Sequence, residues 1–122
     1  MRILITGSRK WTDYTTIFNA LEKYNHNHTA NEPITVISGN AKGADTLAEK
    51  AARDLKYRLE LYPADWSKYG KAAGMIRNRQ MIQTGIDICL AFPTKESIGT
   101  WGCMREAKKA GIPVYQFDEN EN

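Results

Sequence analysis

The chain alternates short apolar runs with amphipathic stretches. Five of the apolar runs have the length and the β-branched or aromatic content of strands. They cover residues 2–6, 34–38, 57–61, 86–92 and 112–116. The amphipathic stretches repeat their apolar positions every three or four residues, as one face of a helix does. The pattern therefore predicts strands and helices in alternation.

Four helices are predicted between these strands. They span residues 14–21, 44–55, 72–83 and 100–110. The second is the clearest, because alanines and leucines form one stripe and charged residues form the opposite face. Thr12 or Asp13 is expected to cap the first helix, and Gly111 followed by Pro113 is expected to end the fourth.

This order of elements predicts an α/β fold. Parallel strands joined by right-handed crossovers place helices on both faces of one sheet. We therefore expect a Rossmann-like three-layer sandwich with a mainly parallel five-stranded sheet. No repeat or linker divides the chain, so residues 1–117 are expected to form a single domain. The acidic residues 118–122 are expected to form a disordered tail.

Composition limits the classes of protein. The 122 residues are 42% hydrophobic and 25% charged, as expected for one soluble hydrophobic core. No apolar run approaches the ~20 residues that span a bilayer, and the opening MRILITG does not resemble a signal peptide. We therefore expect a cytoplasmic protein with no membrane partner. Cys89 and Cys103 are then expected to be reduced and buried, although a disulfide or a reactive thiol stays open.

The charge balance argues against long nucleic acid as a partner. The 17 basic residues are nearly offset by 14 acidic ones, and no basic block stands out along the chain. Proteins that follow a nucleic-acid backbone usually carry clustered lysine and arginine. The net charge of +3 therefore favours a local anion site.

Ligands of open α/β sheets bind outside the carboxyl ends of the strands, where the strand order reverses. The stretch SGNAKGAD, residues 38–45, follows one strand and opens a helix. It is either an ordinary turn or a loop whose amides cradle a phosphate, and it matches neither a Walker A loop nor GxGxxG. The expected cradle residues are Ser38, Gly39, Lys42, Gly43, Ala44 and Asp45.

Other loops at the same edge carry groups that suit an anion joined to an aromatic base. Arginine offers a planar set of donors, and the indole of Trp11 or Trp66 offers a face for a base. Gly99 and Thr100 open the last helix and are expected to direct a second helix N-terminus at the ligand. The expected ligand-binding residues of these loops and helices are Gly7, Ser8, Arg9, Trp11, Trp66, Arg77, Asn78, Pro93, Gly99 and Thr100.

Neither a metal site nor a catalytic triad is expected. His26 and His28 lie in the loop at the opposite edge of the predicted sheet, with no cysteine or acidic cluster nearby. Because these are the two histidines of the chain, no Ser-His-Asp or Cys-His arrangement can be built at the carboxyl edge. No cofactor is predicted.

Several motifs together resemble those of a known family. They are ITGSRKWTD, ISGNAKGAD, YPADW, GKAAG with IRNRQM, and GT before AKKAGIPV. The set is similar to the YspA or YpsA-like branch of the SLOG superfamily, and the resemblance covers residues 3–115. It implies a compact Rossmann-like domain, met in bacteria and their phages, whose crevice binds nucleotides or nucleotide derivatives. It also implies a homo-oligomer, a dimer or larger.

Relatives in this superfamily differ in activity. The LOG phosphoribohydrolases release a base from a nucleoside monophosphate and carry an arginine four residues before a methionine, a pattern that Arg77 and Met81 match. Their PGGxGT motif is followed by two glutamates, whereas WGC follows Gly99-Thr100 here. Glycosidic cleavage needs a nearby carboxylate. The missing acidic pair therefore favours binding over catalysis.

The resemblance thus implies sensing or sequestration of a nucleotide or a nucleotide-derived signal molecule. The alternative is a nucleotide N-glycosidase or phosphoribohydrolase that acts on nucleoside monophosphates or NAD-like substrates, with Arg77, Asp45 and Asp65 as catalytic candidates. DprA-like binding of single-stranded DNA is a further alternative, which the balanced charge disfavours.

Overall fold

The computed structural model describes residues 1–25 and 32–119. Its five strands are β1 (Arg2–Gly7), β2 (Thr35–Ser38), β3 (Arg58–Leu61), β4 (Ile88–Phe92) and β5 (Val114–Gln116). Its five α-helices are α1 (Tyr14–Glu22), α2 (Ala44–Asp54), α3 (Trp66–Tyr69), α4 (Ala73–Gln83) and α5 (Ile98–Lys109). All the predicted strands and helices are therefore present, with ends that differ by one or two residues.

The sheet is parallel, and its strand order is β3-β2-β1-β4-β5. Ile3 in β1 lies opposite Val36 in β2 on one side and opposite Ile88 in β4 on the other. The chain moves outwards from β1 to β3 and then crosses over to start again at β4. The predicted α/β Rossmann-like fold is confirmed, since each parallel connection carries a helix across a face of the sheet.

Alternate residues of β1 pack on opposite faces of the sheet. Ile3 and Ile5 belong to the core that α1 and α2 cover, whereas Leu4 belongs to the core that α4 and α5 cover. Both cores are needed because the central strands β1 and β4 are buried on both faces. This double burial explains why these strands are continuous apolar runs in the sequence.

Aspartate side chains cap the helices α1 and α3. Asp13 accepts a hydrogen bond from the Thr16 amide at 3.2 Å, which confirms the predicted cap of α1. The loop after β3, which the sequence left without a helix, contains the short helix α3. Asp65 caps it by accepting a hydrogen bond from the amide of Lys68 at 3.0 Å.

The C-terminal segment returns to the α1 side of the sheet. Phe117 packs against the core on that face, and Glu119 accepts hydrogen bonds from the amide and the hydroxyl of Thr12 at 3.3 and 3.2 Å.

Residues 120–122 of the predicted tail lie outside the described residues, as do His26 and His28. Among the helices of the described residues, none is long and apolar enough to cross a membrane.

Candidate functional site

A cavity opens at the carboxyl end of the sheet, between β1 and β4. The strand order reverses there, and the chain leaves the two strands toward opposite faces. The loops after both strands form the walls, together with parts of α2, α4 and α5. The cavity has a volume of about 710 Å³, which is in the size range of small-molecule sites. Its place in the fold is the one expected for a ligand site.

Nine of the sixteen predicted ligand-binding residues line this cavity. They are Gly7, Ser8, Arg9, Asp45, Trp66, Arg77, Asn78, Gly99 and Thr100. The other seven do not line it. They are Trp11, Ser38, Gly39, Lys42, Gly43, Ala44 and Pro93. The fold therefore brings together predicted residues from the ends of several strands.

Ser8 ties the two loops of the cavity together. Its Oγ accepts hydrogen bonds from the amide of Lys10 at 3.0 Å and from the hydroxyl of Thr94 at 2.8 Å. Its own amide donates to the carbonyl of Phe92 at 2.9 Å. These bonds join the loop after β1 to the loop after β4, so Ser8 holds the shape of the cavity.

In the stretch SGNAKGAD, the amides of Asn40, Ala41 and Ala44 form hydrogen bonds within the protein. The amide of Ala41 donates to Asp45 Oδ2 at 3.2 Å, and the amide of Ala44 donates to the carbonyl of Ser8 at 3.0 Å. A phosphate held by these amides would have to replace existing hydrogen bonds. Within the stretch, Ala41 and Asp45 line the cavity. The loop thus supports the site as a turn through these bonds, and the phosphate cradle stays a prediction for its other amides.

Three further residues of that stretch, Ser38, Lys42 and Gly39, do not line the cavity. Ser38 donates from its hydroxyl to the buried carboxylate of Glu49 at 2.9 Å. Lys42 is exposed and lies away from the cavity. Gly39 lies directly under the guanidinium of Arg77, where a Cβ would stand 2.7 Å from its Cζ. A side chain at this position would therefore have to displace the guanidinium of Arg77 from its present place.

Arg77 projects from α4 into the cavity wall and is held on both sides. Its Nη1 donates to the carbonyl of Gly39 at 2.6 Å, and its Nε donates to Asn78 Oδ1 at 2.9 Å. Burial lowers the pKa of the guanidinium, and the charge of Asp45 opposes this effect. The predicted inward-facing arginine is thus placed at the site with a fixed orientation.

Asp45 presents a buried carboxyl group at the cavity. Its Oδ2 accepts from the Ala41 amide, whereas its Oδ1 has no hydrogen-bond partner among the described residues. Burial raises the pKa of this group to about 7, against the lowering effects of the Ala41 hydrogen bond and the charge of Arg77. A carboxyl group with this pKa can take up or release its proton near neutral pH. The sequence placed Asp45 at the site but did not indicate its unpaired oxygen.

We expect Asp45→Asn to remove a pH dependence of stability. The pKa of the folded form, about 7, lies above the ordinary value of 3.8, so the unfolded chain loses this proton at lower pH. The free energy of unfolding of the wild type should therefore fall between about pH 4 and 7, by on the order of 4 kcal/mol, and stay level above that range. Urea unfolding of both proteins from pH 4 to 8 measures this, and parallel pH profiles would contradict it.

The first turn of α5 borders the cavity. Gly99 and Thr100 line it, and no atom lies within 4 Å of where a Cβ on Gly99 would stand. Ser97 precedes the helix but does not cap it, because its hydroxyl bonds to the backbone of Thr94 at 2.7 and 2.9 Å. The N–H groups and the dipole at the start of a helix attract anions. The start of α5 is therefore suited to an anion.

The two tryptophans predicted at the site have different surroundings. Trp11 is only 1% exposed; its ring packs edge-on against Phe92 at 5.3 Å, and its Nε1 donates to the carbonyl of Asp13 at 2.9 Å. Trp66 is 49% exposed at the cavity, with the guanidinium of Arg9 5.6 Å from its ring centre. The prediction that Trp11 offers a face to a base is wrong, because its ring is buried in the core.

Asp65, a catalytic candidate from the sequence, does not line this cavity. Its carboxylate caps α3 and accepts a further hydrogen bond from the hydroxyl of Ser67 at 2.9 Å. It borders a separate, smaller cavity of about 200 Å³, which Arg77 borders as well. These hydrogen bonds identify Asp65 as a helix cap. The structure therefore does not support Asp65 as a catalytic residue at the larger cavity.

Cations outnumber carboxylates around the larger cavity. The charged residues that line it are Arg9, Lys10, Lys71, Arg77, Arg79, Arg105, Asp45, Glu96 and Glu106. Lys10 pairs with Glu96 at 2.8 Å, and Arg79 lies 3.7 Å from Glu106. The excess of positive charge favours an anionic ligand.

Sequence reasoning missed part of the cavity wall. The lining residues that it did not assign to the ligand include Lys71, Thr94, Ser97, Ile98 and Arg105. A serine followed by a helical pattern is a signal for a helix start, and it would have moved the start of α5 to Ile98.

Within residues 1–25 and 32–119, no group of three or more histidine, cysteine or acidic residues could hold a metal ion.

Comparisons with known proteins give one family and one fold. Residues 1–69 match the sequence model of the family YAcAr, described as the YspA, cpYpsA-related SLOG family. The chain is 46% identical over 123 residues to the Gene 61 protein of Mycobacterium phage D29, with 97% of each chain covered. Its structure is similar to DNA processing protein A (DprA) from Streptococcus pneumoniae, with a TM-score of 0.64 and 20% identity. That match covers 94% of this chain but 49% of DprA, and it shows the fold alone.

Proposed function

Because the chain belongs to the YspA, cpYpsA-related SLOG family, we propose that it binds a nucleotide or a nucleotide-derived signal molecule in the cavity between β1 and β4. Membership of this family indicates nucleotide-related binding or processing. Sensing or sequestration is the form of this function that we favour. The acidic pair of the phosphoribohydrolases is absent after Gly99-Thr100, and the sequence reads WGC at that point.

One observation carries this proposal: an uncapped helix N-terminus, an excess of cations and an exposed aromatic ring share one cavity. The first turn of α5 and the arginines would hold the phosphate, and Trp66 would stack on the base. A helix N-terminus contributes about 0.3–2 kcal/mol, an arginine hydrogen bond about 1.5–3, and base stacking about 1–3. These contributions reach micromolar affinity only when they act on one ligand.

We expect Trp66→Ala to weaken the binding of adenosine monophosphate by at least tenfold. Stacking of a base on an aromatic ring contributes about 1–3 kcal/mol, and 1.4 kcal/mol is a factor of ten in affinity. Isothermal titration calorimetry with adenosine monophosphate, guanosine monophosphate and NAD measures the effect. Because Trp66 is half exposed, its removal should leave the fold intact.

Tyr69→Ala is the matched control for this experiment. Tyr69 lies in the same short helix and is similarly exposed, but it borders the smaller cavity and not the larger one. Its replacement should leave nucleotide affinity unchanged. If none of the nucleotides binds the wild type, the proposed function is wrong. Strong, salt-sensitive retention of single-stranded DNA would instead favour the DNA-binding alternative.

A second candidate function, cleavage of the N-glycosidic bond, is favoured by Asp45. A carboxyl group with a pKa of about 7 is suited to proton transfer near neutral pH, and this one lies at the cavity beside Arg77. Release of free base from nucleoside monophosphates or NAD, followed by chromatography, tests it. Multiple turnovers that Arg77→Ala abolishes would replace the binding proposal with this one.

Location and assembly are part of the proposal. We place the protein in the cytoplasm, where its two buried thiols, Cys89 and Cys103, would stay reduced. The homo-oligomer implied by the family resemblance stays a prediction, which light scattering on the purified protein would measure. The domain formed by residues 1–117 is likewise a proposal, and removal of residues 118–122 tests it through the unfolding transition.

A further inference from the structure

One oxygen at the cavity has no hydrogen-bond partner. Asp45 is 6% exposed and lines the cavity, yet its Oδ1 is unpaired among the described residues, while its Oδ2 accepts from the amide of Ala41. Buried polar atoms in native proteins are nearly always paired, and an exception calls for a functional reason. The unpaired atom is therefore the place on this carboxyl group where a further hydrogen bond can form.

The nearby arginine does not fill this role. Arg77 directs its Nη1 at the carbonyl of Gly39 and its Nε at Asn78, and it forms no ion pair with Asp45 within 4 Å in the part of the chain that the structure describes. Its charge still acts on the carboxyl group from beyond that distance. A small polar group of a ligand can thus donate to Asp45 without replacing a hydrogen bond that Arg77 already makes.

We propose that Asp45 Oδ1 accepts a hydrogen bond from a sugar hydroxyl of the ligand, so that the cavity selects ribonucleotides over deoxyribonucleotides. The proposal rests on the nucleotide-binding function above. A phosphate beside Asp45 would bring two negative groups together, and a ligand cation would be repelled by the surrounding arginines and lysines. The partner of Asp45 Oδ1 is therefore a neutral donor close to a phosphate. In a nucleotide, the ribose hydroxyls are such donors.

Binding of matched ligands to the wild-type protein tests the proposal. The ligands are adenosine 5′-monophosphate and its 2′-deoxy and 3′-deoxy forms, and titration calorimetry at pH 8 keeps Asp45 mainly ionised and able only to accept. At least one deoxy form should bind about tenfold or more weakly than the ribonucleotide, since a site built around a hydroxyl rejects analogues that lack it. Equal affinity for all three would overturn the proposal and leave the proposed function standing. Absence of binding by all three would contradict the proposed function itself.

Asp45→Asn separates the role of this oxygen from that of the cavity as a whole. The asparagine keeps an oxygen for the Ala41 amide and places an NH₂ group where Oδ1 stood, so it can no longer accept the hydroxyl proton. The preference for the ribonucleotide should then shrink to within about threefold. Glu96→Gln is the control, because Glu96 is an exposed carboxylate at the same cavity and should leave the preference unchanged.

The base of the nucleotide also carries a donor, which competes with the ribose hydroxyls as the partner of Asp45 Oδ1. The adenine amino group is also a neutral donor, so purine riboside 5′-monophosphate, which lacks it, is measured as well. A tenfold loss with this ligand, together with equal binding of both deoxy forms, would assign the Oδ1 partner to the base and overturn the hydroxyl assignment. A loss with the deoxy forms alone supports it.

Discussion

Gly43→Ala should destabilise the folded chain by about 2–5 kcal/mol, because two costs act at the same position. Gly43 has a φ of 76°, which L-residues with side chains rarely adopt. A Cβ there would also stand 2.5 Å from the carbonyl carbon and oxygen of Arg9, both of them backbone atoms. The positive φ costs about 1–2 kcal/mol and the overpacking about 1–3 kcal/mol. Since backbone cannot swing aside as a flexible side chain does, the loops after β1 and β2 would have to separate.

Gly85→Ala isolates the first of these costs. Gly85 follows the end of α4 with a φ of 91°, and nothing lies within 4 Å of where its Cβ would stand. Its replacement should therefore cost only about 1–2 kcal/mol. Urea unfolding of both variants gives the two free energies. Equal losses would mean that the close contact between the loops does not constrain Gly43.

Trp11→Ala should lower the free energy of unfolding by about 3–5 kcal/mol, as expected for removal of a fully buried tryptophan. The ring packs against Phe92, which itself stacks on Phe117 at 5.1 Å, so the change leaves a hole where three segments meet. It also leaves the carbonyl of Asp13 without the donor it has in the wild type. Thermal and urea unfolding measure the loss.

Trp66→Ala provides the contrast for this prediction. Trp66 is half exposed and belongs to neither hydrophobic core, so its loss should change stability by less than about 1 kcal/mol while weakening nucleotide binding. Trp11→Ala, measured under conditions where it stays folded, should bind with nearly wild-type affinity. A ligand-specific loss in Trp11→Ala without loss of stability would restore the stacking role that the sequence assigned to it.

Most of the fold could be predicted because its signals are local. Strand β4 is apolar throughout because it is buried on both faces, and α2 shows a clear stripe because one face packs on the sheet. Each of these patterns is complete within about a dozen residues. The short helix α3 escaped prediction because four residues are too few to show a period, and its cap, Asp65, looked like a candidate for catalysis.

The general position of the site could also be predicted, whereas the roles of its residues could not. Parallel strands bring their carboxyl ends to one edge, which is why Arg9, Arg77 and Gly99 meet at the cavity. The glycine-rich stretch 38–45 has the composition of a phosphate loop. The amides of Ala41 and Ala44 are nevertheless paired with Asp45 and with the carbonyl of Ser8, which lies far away in the sequence.

The sequence by itself determined the alternation of strands and helices, the family and the edge of the sheet where the cavity lies. The tertiary structure alone decided that Trp11 is core and Trp66 is surface, that the first turn of α5 borders the cavity, and that one oxygen of Asp45 is unpaired among the described residues. The reason is physical. Periodicity and helix signals depend on neighbours along the chain, whereas burial and hydrogen-bond pairing depend on groups that only the folded packing brings within reach.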